Sequence, residues 1–206
     1  MKKYHCYSAC FDEKTEELFK DAVFLGQGNN GVVYSLPEHK VIKIFVKEEV
    51  CKDEAIALLK GEKSKYFPKV YAVGDLFIVR EKVEGIQLDK YIKRKGLNKK
   101  LVLNIYKLIK DFHKLKFSKI DTRCKDIMVD EDENVMIIDP KKFYKRKVDF
   151  PRHLMKGFLK LGVLDEFFNI LDKIDRRRSK LWKYKFYKYW SKECTRRCQK
   201  EDGDDL

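Results

Sequence analysis

The pattern of hydrophobic and polar residues divides the chain into a strand-rich first part and a helical second part. Between Phe24 and Val83, short apolar runs are separated by Gly, Asn, Pro and Asp, which is typical of strands joined by turns. The runs that predict strands are 23–25, 32–34, 41–45, 70–73 and 76–79.

Apolar residues at helical spacing begin between the third and fourth of these runs. Glu48 to Lys60 has them at 51, 55, 58 and 59, which predicts one helix within the strand-rich part. The second part is predicted to hold a longer amphipathic helix over 99–116, a hairpin of 127–129 with 135–138, and helices from 141 to about 190.

A glycine-rich turn joins the first two predicted strands. Its sequence is Gly26-Gln27-Gly28-Asn29-Asn30-Gly31, and Val33 lies on the strand that follows. Glycines at these three positions let a turn fold closely over a phosphate, with backbone N–H groups facing it. Because a strand and not a helix follows the turn, a hairpin over a triphosphate fits better than a dinucleotide-binding turn.

A charged residue interrupts the most apolar strand. Lys43 lies in the middle of Val41–Phe45, where burying an ammonium is costly unless an anion meets it. An isolated lysine would extend outward along the strand, which is the alternative interpretation. Glu54, on the following helix, is the predicted counter-charge, with Glu48 and Glu49 as nearby alternatives.

Five collinear segments together resemble a protein kinase. They are the glycine-rich turn, Val41-Ile42-Lys43 with the helical Glu54, Phe77–Gly85 as the hinge, Asp121–Val129 as the catalytic loop, and Ile137–Pro140 as the metal-binding loop. The match covers about Phe24 to Phe143 and is most similar to small bacterial kinase-like proteins with a shortened C-lobe. The compact basic C-terminal part is also similar to Rio-type kinases and to the small kinase of the tRNA-threonylcarbamoylation complex.

The resemblance implies an α+β fold with two lobes. The N-lobe would span 1–83, with a leader over about 1–20, and hold a five-stranded antiparallel sheet with one helix. The C-lobe, 84–206, would be reduced and mainly helical.

The resemblance also implies roles for individual residues in an ATP- and Mg²⁺-dependent phosphotransferase, most simply a protein serine/threonine kinase. Residues Gly26, Gln27, Gly28, Asn29, Asn30, Gly31 and Val33 would cover the nucleotide, Lys43 paired with Glu54 would meet its phosphates, and the backbone of Glu81 and Val83 would meet adenine. Asp121 would be the catalytic aspartate, Arg123 would contact the transferred phosphate, and Asp126 and Asp139 would hold Mg²⁺.

Several departures from the family pattern favour a second interpretation, a pseudokinase that binds nucleotide or acts as a scaffold. Lys119-Ile120-Asp121 stands where the family has His-Arg-Asp, Asp126 replaces Asn, and Pro140 removes a mobile glycine. Arg80 lies at the position beside adenine that is usually hydrophobic. No Ala-Pro-Glu motif follows Asp139, so a conventional peptide groove is not expected.

Charge is concentrated in the C-terminal third of the 206 residues. Residues 1–140 contain 27 Lys and Arg against 23 Asp and Glu, whereas residues 141–200 contain 20 against 6, and the tail 201–206 is acidic. The basic segment 141–200 predicts an anionic partner, either RNA or an acidic protein, although a solvated basic surface is the simpler alternative. An RNA-associated kinase or ATPase is therefore a further interpretation.

The remaining signals concern location and small clusters. The longest apolar run is Ala55–Leu59, too short for a membrane span, and no secretory signal is visible, so a cytoplasmic protein with reduced cysteines is expected. The pairs Cys6/Cys10 and Cys194/Cys198 could hold zinc, although simple burial is the better prediction. The spacing of Trp182, Phe186 and Trp190 predicts a buried stripe more than a base-stacking surface.

Overall fold

A computed structural model describes residues 9–140, 143–144 and 146–201, with side chains as far as Arg196 in the last helix. The chain forms two compact units. The first extends to Gly85 and also includes the later segment that begins at Met136, and the second holds Ile86–Val135 and the chain from Phe143 onward.

The first unit is a five-stranded antiparallel sheet with helices. Its strands are β1 (Val23–Gly28), β2 (Gly31–Leu36), β3 (Lys40–Phe45), β4 (Val70–Val73) and β5 (Phe77–Glu81), in the order β1-β2-β3-β5-β4. The helices are α1 (Glu13–Phe19) and α2 (Glu48–Gly61). The predicted sheet and the helix over 48–60 are confirmed, and α1 is an additional helix that begins at the Asp12 cap.

The two faces of this sheet carry different side chains because successive residues of a strand point to opposite faces. Ile42 and Ile44 of β3 belong to an apolar cluster with Phe77 and Val79 of β5, and Phe19, the last residue of α1, packs against it. Lys43 therefore points to the opposite face, where it pairs in register with Val33 and Ile78.

The second unit is mainly helical, as predicted for the C-terminal part. Its elements are β6 (Ile86–Gln87), α3 (Leu88–Lys95), α4 (Lys99–Lys114), a 3-10 turn (Cys124–Asp126), β7 (Ile127–Val129), α5 (Arg152–Lys160), α6 (Leu164–Ile174) and α7 (Arg176–Glu201). Between β7 and α5 the chain passes through β8 (Val135–Ile137), and the small second sheet has the order β6-β7-β8.

Aromatic residues of α7 form part of the core of the second unit. Trp182 and Phe186 are 1% and 0% exposed, and Tyr106 of α4 meets the Trp182 ring edge-on at 5.9 Å. The predicted buried stripe is confirmed for these two residues, and Trp190 is partly buried.

Two further sequence-based expectations concern zinc binding and membrane spanning. Cys6 and the side chain of Cys198 lie outside them, so the zinc hypothesis for the cysteine pairs stays a prediction. Among the residues that the structure describes, every helix is too short or too polar to cross a membrane.

Gly31 is the glycine whose backbone the hairpin requires. Its φ is +154°, and a Cβ built on it would lie 1.9 Å from the carbonyl oxygen of Ile44. We expect Gly31→Ala to lower the free energy of unfolding by about 2 kcal/mol or more, because the strands would have to separate.

Chemical denaturation of Gly31→Ala beside Gly26→Ala tests this expectation. A Cβ at Gly26 meets no atom within 4 Å, so that variant should stay within about 1 kcal/mol of the parent protein. Equal losses in the two variants would contradict the role assigned to Gly31.

Candidate functional site

The Lys43 ammonium is buried in the first unit and is held by two carboxylates. Lys43 Nζ donates to Glu54 Oε2 at 2.6 Å and to Asp139 Oδ1 at 3.3 Å. The side chains of Lys43 and Glu54 are only 10% and 3% exposed, whereas Asp139 is 20% exposed. The sequence prediction of a Lys43–Glu54 pair is therefore realised as a buried, hydrogen-bonded ion pair.

Glu54 reaches Lys43 because α2 turns one face toward the sheet. Cys51, Glu54, Ala55 and Leu58 are all buried on that face, at the spacing of successive helical turns. The alternatives Glu48 and Glu49 lie in the first turn of α2, and Glu48 pairs with Lys52 instead.

Asp139 is positioned by backbone hydrogen bonds within the first unit. The N–H of Ile137 donates to the carbonyl of Tyr66 at 2.9 Å. Arg80 Nη2 donates to the carbonyl of Ile138 at 3.4 Å, directly before Asp139. These contacts bring a carboxylate that lies 96 residues from Lys43 in sequence to the same site.

Arg80 is a second buried cation of the first unit. It is 6% exposed, and its Nη1 donates to the carbonyl of the hinge residue Glu81 at 3.1 Å. Burial lowers the pKa of Arg80, while the charges of Glu54, Asp139 and Glu81 act in the opposite direction. Arg80 thus connects the predicted hinge to the segment that carries Asp139.

The glycine-rich turn offers open space on its outer strand. A Cβ placed on Gly26 or Gly28 would meet no atom within 4 Å. The N–H of Val46 donates to the carbonyl of Asn30 at 3.0 Å and thereby fixes the tip of the turn to the chain after β3. The exposed turn has room for a ligand along Gly26–Gly28.

The predicted hinge is formed by the end of β5 and the residues after it. The N–H of Glu81 donates to the carbonyl of Lys69 at 2.8 Å, and that of Lys82 donates to the carbonyl of His39 at 2.8 Å. Val83 is partly buried. The hinge backbone is thus anchored to both neighbouring segments.

Burial of the Lys43 site favours the protonated form of Glu54. Burial raises the pKa of Glu54 to about 7, against the lowering effect of the Lys43 charge, and Asp139 raises it further. Glu54 Oε1 is buried and has no hydrogen-bond partner among the residues that the structure describes. A phosphate–Mg²⁺ ligand needs an ammonium for its phosphate and a carboxylate for its metal. The Lys43 ammonium suits the anion and the partly exposed Asp139 carboxylate suits the hard cation, so the residues fit such a ligand.

In the second unit, Asp121 is completely buried and bound to the start of α5. Its Oδ1 accepts from the backbone N–H of His153 at 2.8 Å, its Oδ2 contacts His153 Nδ1, and Arg152 Nε lies 3.5 Å from Oδ2. A carboxylate at a helix N-terminus is stabilised by the exposed N–H groups there.

Arg123 and Asp126 form a two-point ion pair at the 3-10 turn. Arg123 Nε and Nη2 donate to Asp126 Oδ2 and Oδ1 at 2.6 and 2.7 Å. Both carboxylate oxygens predicted as metal ligands therefore already accept a charged hydrogen bond. Asp126 could bind a cation only by sharing these oxygens with the guanidinium.

The loop before Asp121 is fixed through its backbone. The N–H of Lys119 donates to the carbonyl of Phe143 at 3.0 Å, and that of Ile120 donates to the carbonyl of Val148 at 2.9 Å. Burial lowers the pKa of Lys119, which stands where the family has a histidine. Main-chain hydrogen bonds thus hold this loop in a chain that has Lys119 at the predicted histidine position.

Two residues beside Asp121 were not predicted from sequence. Arg152 and His153 lie about thirty positions after it, and no spacing or motif links them. Their signal, a pair of basic residues after Pro151 at the start of a predicted helix, identifies a helix N-terminus but not its partner.

The structure thus groups the predicted site residues by unit. Lys43, Glu54 and Asp139 meet in the first, and Asp121, Arg123 and Asp126 lie along one loop of the second. Within the described residues, no three His, Cys, Asp or Glu side chains form a metal-binding group.

Comparison with known proteins gives a distant relationship. No protein-family model matches the chain. A protein of Bacillus subtilis (strain 168), named "Putative serine/threonine-protein kinase YrzF", is 22% identical over 141 residues, which is 66% of this chain and 66% of that relative. The chain thus aligns with slightly less than two thirds of that relative's length, and the likeness supports a kinase-like relationship at this coarse level.

We expect the raised pKa of Glu54 to appear as a pH dependence of stability. Between about pH 4.5 and about 7 we expect the folded protein to keep a proton on Glu54 that the unfolded chain has lost, so the fully charged pair with Lys43 forms toward the upper end of this range. Because protons bound only in the folded state make stability fall as pH rises, the contribution of Glu54 should decrease across this window. Glu54→Gln cannot lose a proton and should lack this decrease.

Unfolding midpoints from pH 4 to 8 for the parent protein, Glu54→Gln and the exposed control Glu62→Gln measure this effect. The control should follow the parent protein. A constant difference between Glu54→Gln and the parent protein across the range would contradict the assignment.

Proposed function

We propose that this protein is an ATP- and Mg²⁺-dependent phosphotransferase that phosphorylates serine or threonine residues of proteins. The observation that carries the proposal is the buried Lys43–Glu54 pair with Asp139 at 3.3 Å from the same ammonium. Burying three charged groups together is costly unless they serve a ligand or a specific conformation. The distant likeness to a relative named as a serine/threonine kinase supports the same class.

Each residue of the first unit has a distinct part in the proposed reaction. Lys43 binds the phosphate chain, and Glu54 holds the Lys43 ammonium in place. Asp139 supplies an oxygen ligand for Mg²⁺, which when bound neutralises charge on the phosphates. The turn Gly26–Gly31 covers the phosphates, and the backbone of Glu81 and Val83 receives the base.

Asp121 is the proposed acceptor of the substrate hydroxyl proton, and Arg123 the proposed contact to the transferred phosphate. Phosphoryl transfer depends mainly on positioning and on charge neutralisation. In this proposal the hydrogen bonds from His153 and the nearby charge of Arg152 orient the Asp121 carboxylate, and Arg123 keeps Asp126 in place.

A second candidate function, a nucleotide-binding pseudokinase, is favoured by the state of Asp121. Its side chain is 0% exposed and both oxygens are engaged by α5. A general base must reach the proton that it accepts. If Asp121 keeps these bonds when substrate is present, the protein would bind nucleotide without transferring phosphate.

We predict that Asp139→Asn loses the stabilisation that Mg·ATP gives to the parent protein. A ligand at 100 times its dissociation constant adds about 2.7 kcal/mol to the folded state. Asparagine keeps the size of the side chain but removes the charge that attracts Mg²⁺. Thermal unfolding with Mg·ATP, with ATP and EDTA, and without ligand measures the effect, and an Asp132→Asn variant controls for the change in net charge.

We also predict that Asp121→Asn lowers phosphate transfer by a factor of 100 or more, roughly, while Mg·ATP still raises its unfolding midpoint. The measurement is transfer of the labelled γ-phosphate to a mixed protein substrate or to the protein itself. Binding without transfer in the parent protein would establish the pseudokinase, and the absence of both binding and transfer would exclude both candidates.

A further inference from the structure

A cationic pocket lies within the second unit, where α3, α5 and the 3-10 turn meet. Its volume is about 480 Å³, within the range of pockets that hold small ligands. Lys93 of α3, Lys125 of the turn, and Lys156 and Lys160 of α5 line it, with Asp89 as its one acidic residue. We call this site the cationic pocket.

Most of these ammonium groups have no ion-pair partner among the described residues. In the described part of the chain, Lys93, Lys125 and Lys160 have no acidic side chain within ion-pair distance. The Lys156 ammonium lies over the Trp190 ring at 5.7 Å, a contact that leaves its charge uncompensated. Like charges that face one pocket repel one another, and an anion inside it relieves the repulsion.

The pocket is a product of a close approach between α5 and the 3-10 turn. A Cβ on Gly157 would lie 2.5 Å from Cys124 Sγ, so a larger residue here would have to displace the Cys124 side chain. Lys156 and Lys160 are four residues apart on α5 and therefore share a helix face. The close packing places that face beside Lys125.

Two lining residues connect the cationic pocket to the predicted catalytic loop. His153 lines the pocket and contacts Asp121 through both its backbone N–H and its ring. Arg123 also lines it while it holds Asp126. An occupant of the pocket therefore lies beside the residue proposed to accept the substrate proton.

We propose that the cationic pocket binds an acidic segment of the protein substrate, rich in Asp and Glu, next to the hydroxyl that is phosphorylated. The substrate class rests on the proposed function, whereas the binding itself is measured without it. Ammonium groups around a concave surface suit carboxylates on a short peptide. The described lining contains no Phe, Tyr or Trp side chain on which a nucleobase could stack, and its His153 ring is held by Asp121, which disfavours single-stranded nucleic acid.

Fluorescence anisotropy with labelled peptides tests the proposal. Three twelve-residue peptides with a central serine are used, flanked by glutamates, by glutamines or by lysines. The glutamate peptide should bind, the other two should not, and binding should weaken as ionic strength rises, because salt screens exposed charges over about 8 Å at 0.15 M.

Charge reversal locates the binding. Lys156→Glu with Lys160→Glu should weaken binding of the glutamate peptide by about tenfold or more. The matched control, Lys107→Glu with Lys114→Glu, changes the same net charge on exposed lysines of α4 outside the pocket, and should change binding by less than about twofold. Unfolding midpoints of both double variants confirm that they fold.

Each other outcome overturns the proposal in a distinct way. If the glutamate peptide does not bind, the pocket is not a docking site. If both double variants lose the same affinity, the binding depends on the overall positive charge of the protein and not on the pocket. Tighter binding of a twelve-nucleotide single strand, with the same dependence on Lys156 and Lys160, would assign the pocket to nucleic acid. Peptide binding without any phosphate transfer would refute the proposed function but leave the docking site standing.

Discussion

The ion pair between Lys43 and Glu54 is the constraint around which the first unit is arranged. A charged pair with so little exposure loses most of its hydration, and its attraction repays that cost only with good geometry and further partners. Asp139 and Arg80 complete the charge pattern, and their positions follow from it. Removing Lys43 would leave Glu54 without the ammonium that it accepts from, whereas removing Glu54 would leave Asp139 as the remaining carboxylate on Lys43.

The sheet and the Lys43 site could be predicted from sequence because each leaves a local signal. Alternating apolar runs define the strands, and a lysine inside such a run with a glutamate on the next helix indicates an ion pair, whereas the place of Asp139 came from the resemblance to protein kinases. Helices α1 and α3 were not predicted because they are short, with 7 and 8 residues, and α3 has only Leu88, Tyr91 and Ile92 as buried residues among its charges. A helical repeat of apolar residues becomes recognisable in a sequence only over more turns than these two helices have.

The surroundings of Asp121 could not be predicted for a different reason. Its partners Arg152 and His153 are brought to it by the path of the chain through Phe143 and Val148, and no local pattern encodes that path. The motif gave the position of the aspartate, but the fold determines whether its oxygens are available. The cationic pocket could not be predicted for the same reason. Its lysines come from three separate elements, and they form a site only because the fold brings them together.

The first unit is discontinuous in sequence, since the segment that begins at Met136 returns to it after fifty residues of the second unit. A gene fragment that stops at Gly85 would therefore encode every strand of the sheet and still lack Asp139 and the amide of Ile137 that bonds to Tyr66. Lys43 would keep a single carboxylate. Dissection of this protein into separately expressed halves at the hinge would thus sever the site along with the chain, and a circularly permuted or covalently linked fragment carrying residues 136–140 would be required to retain it.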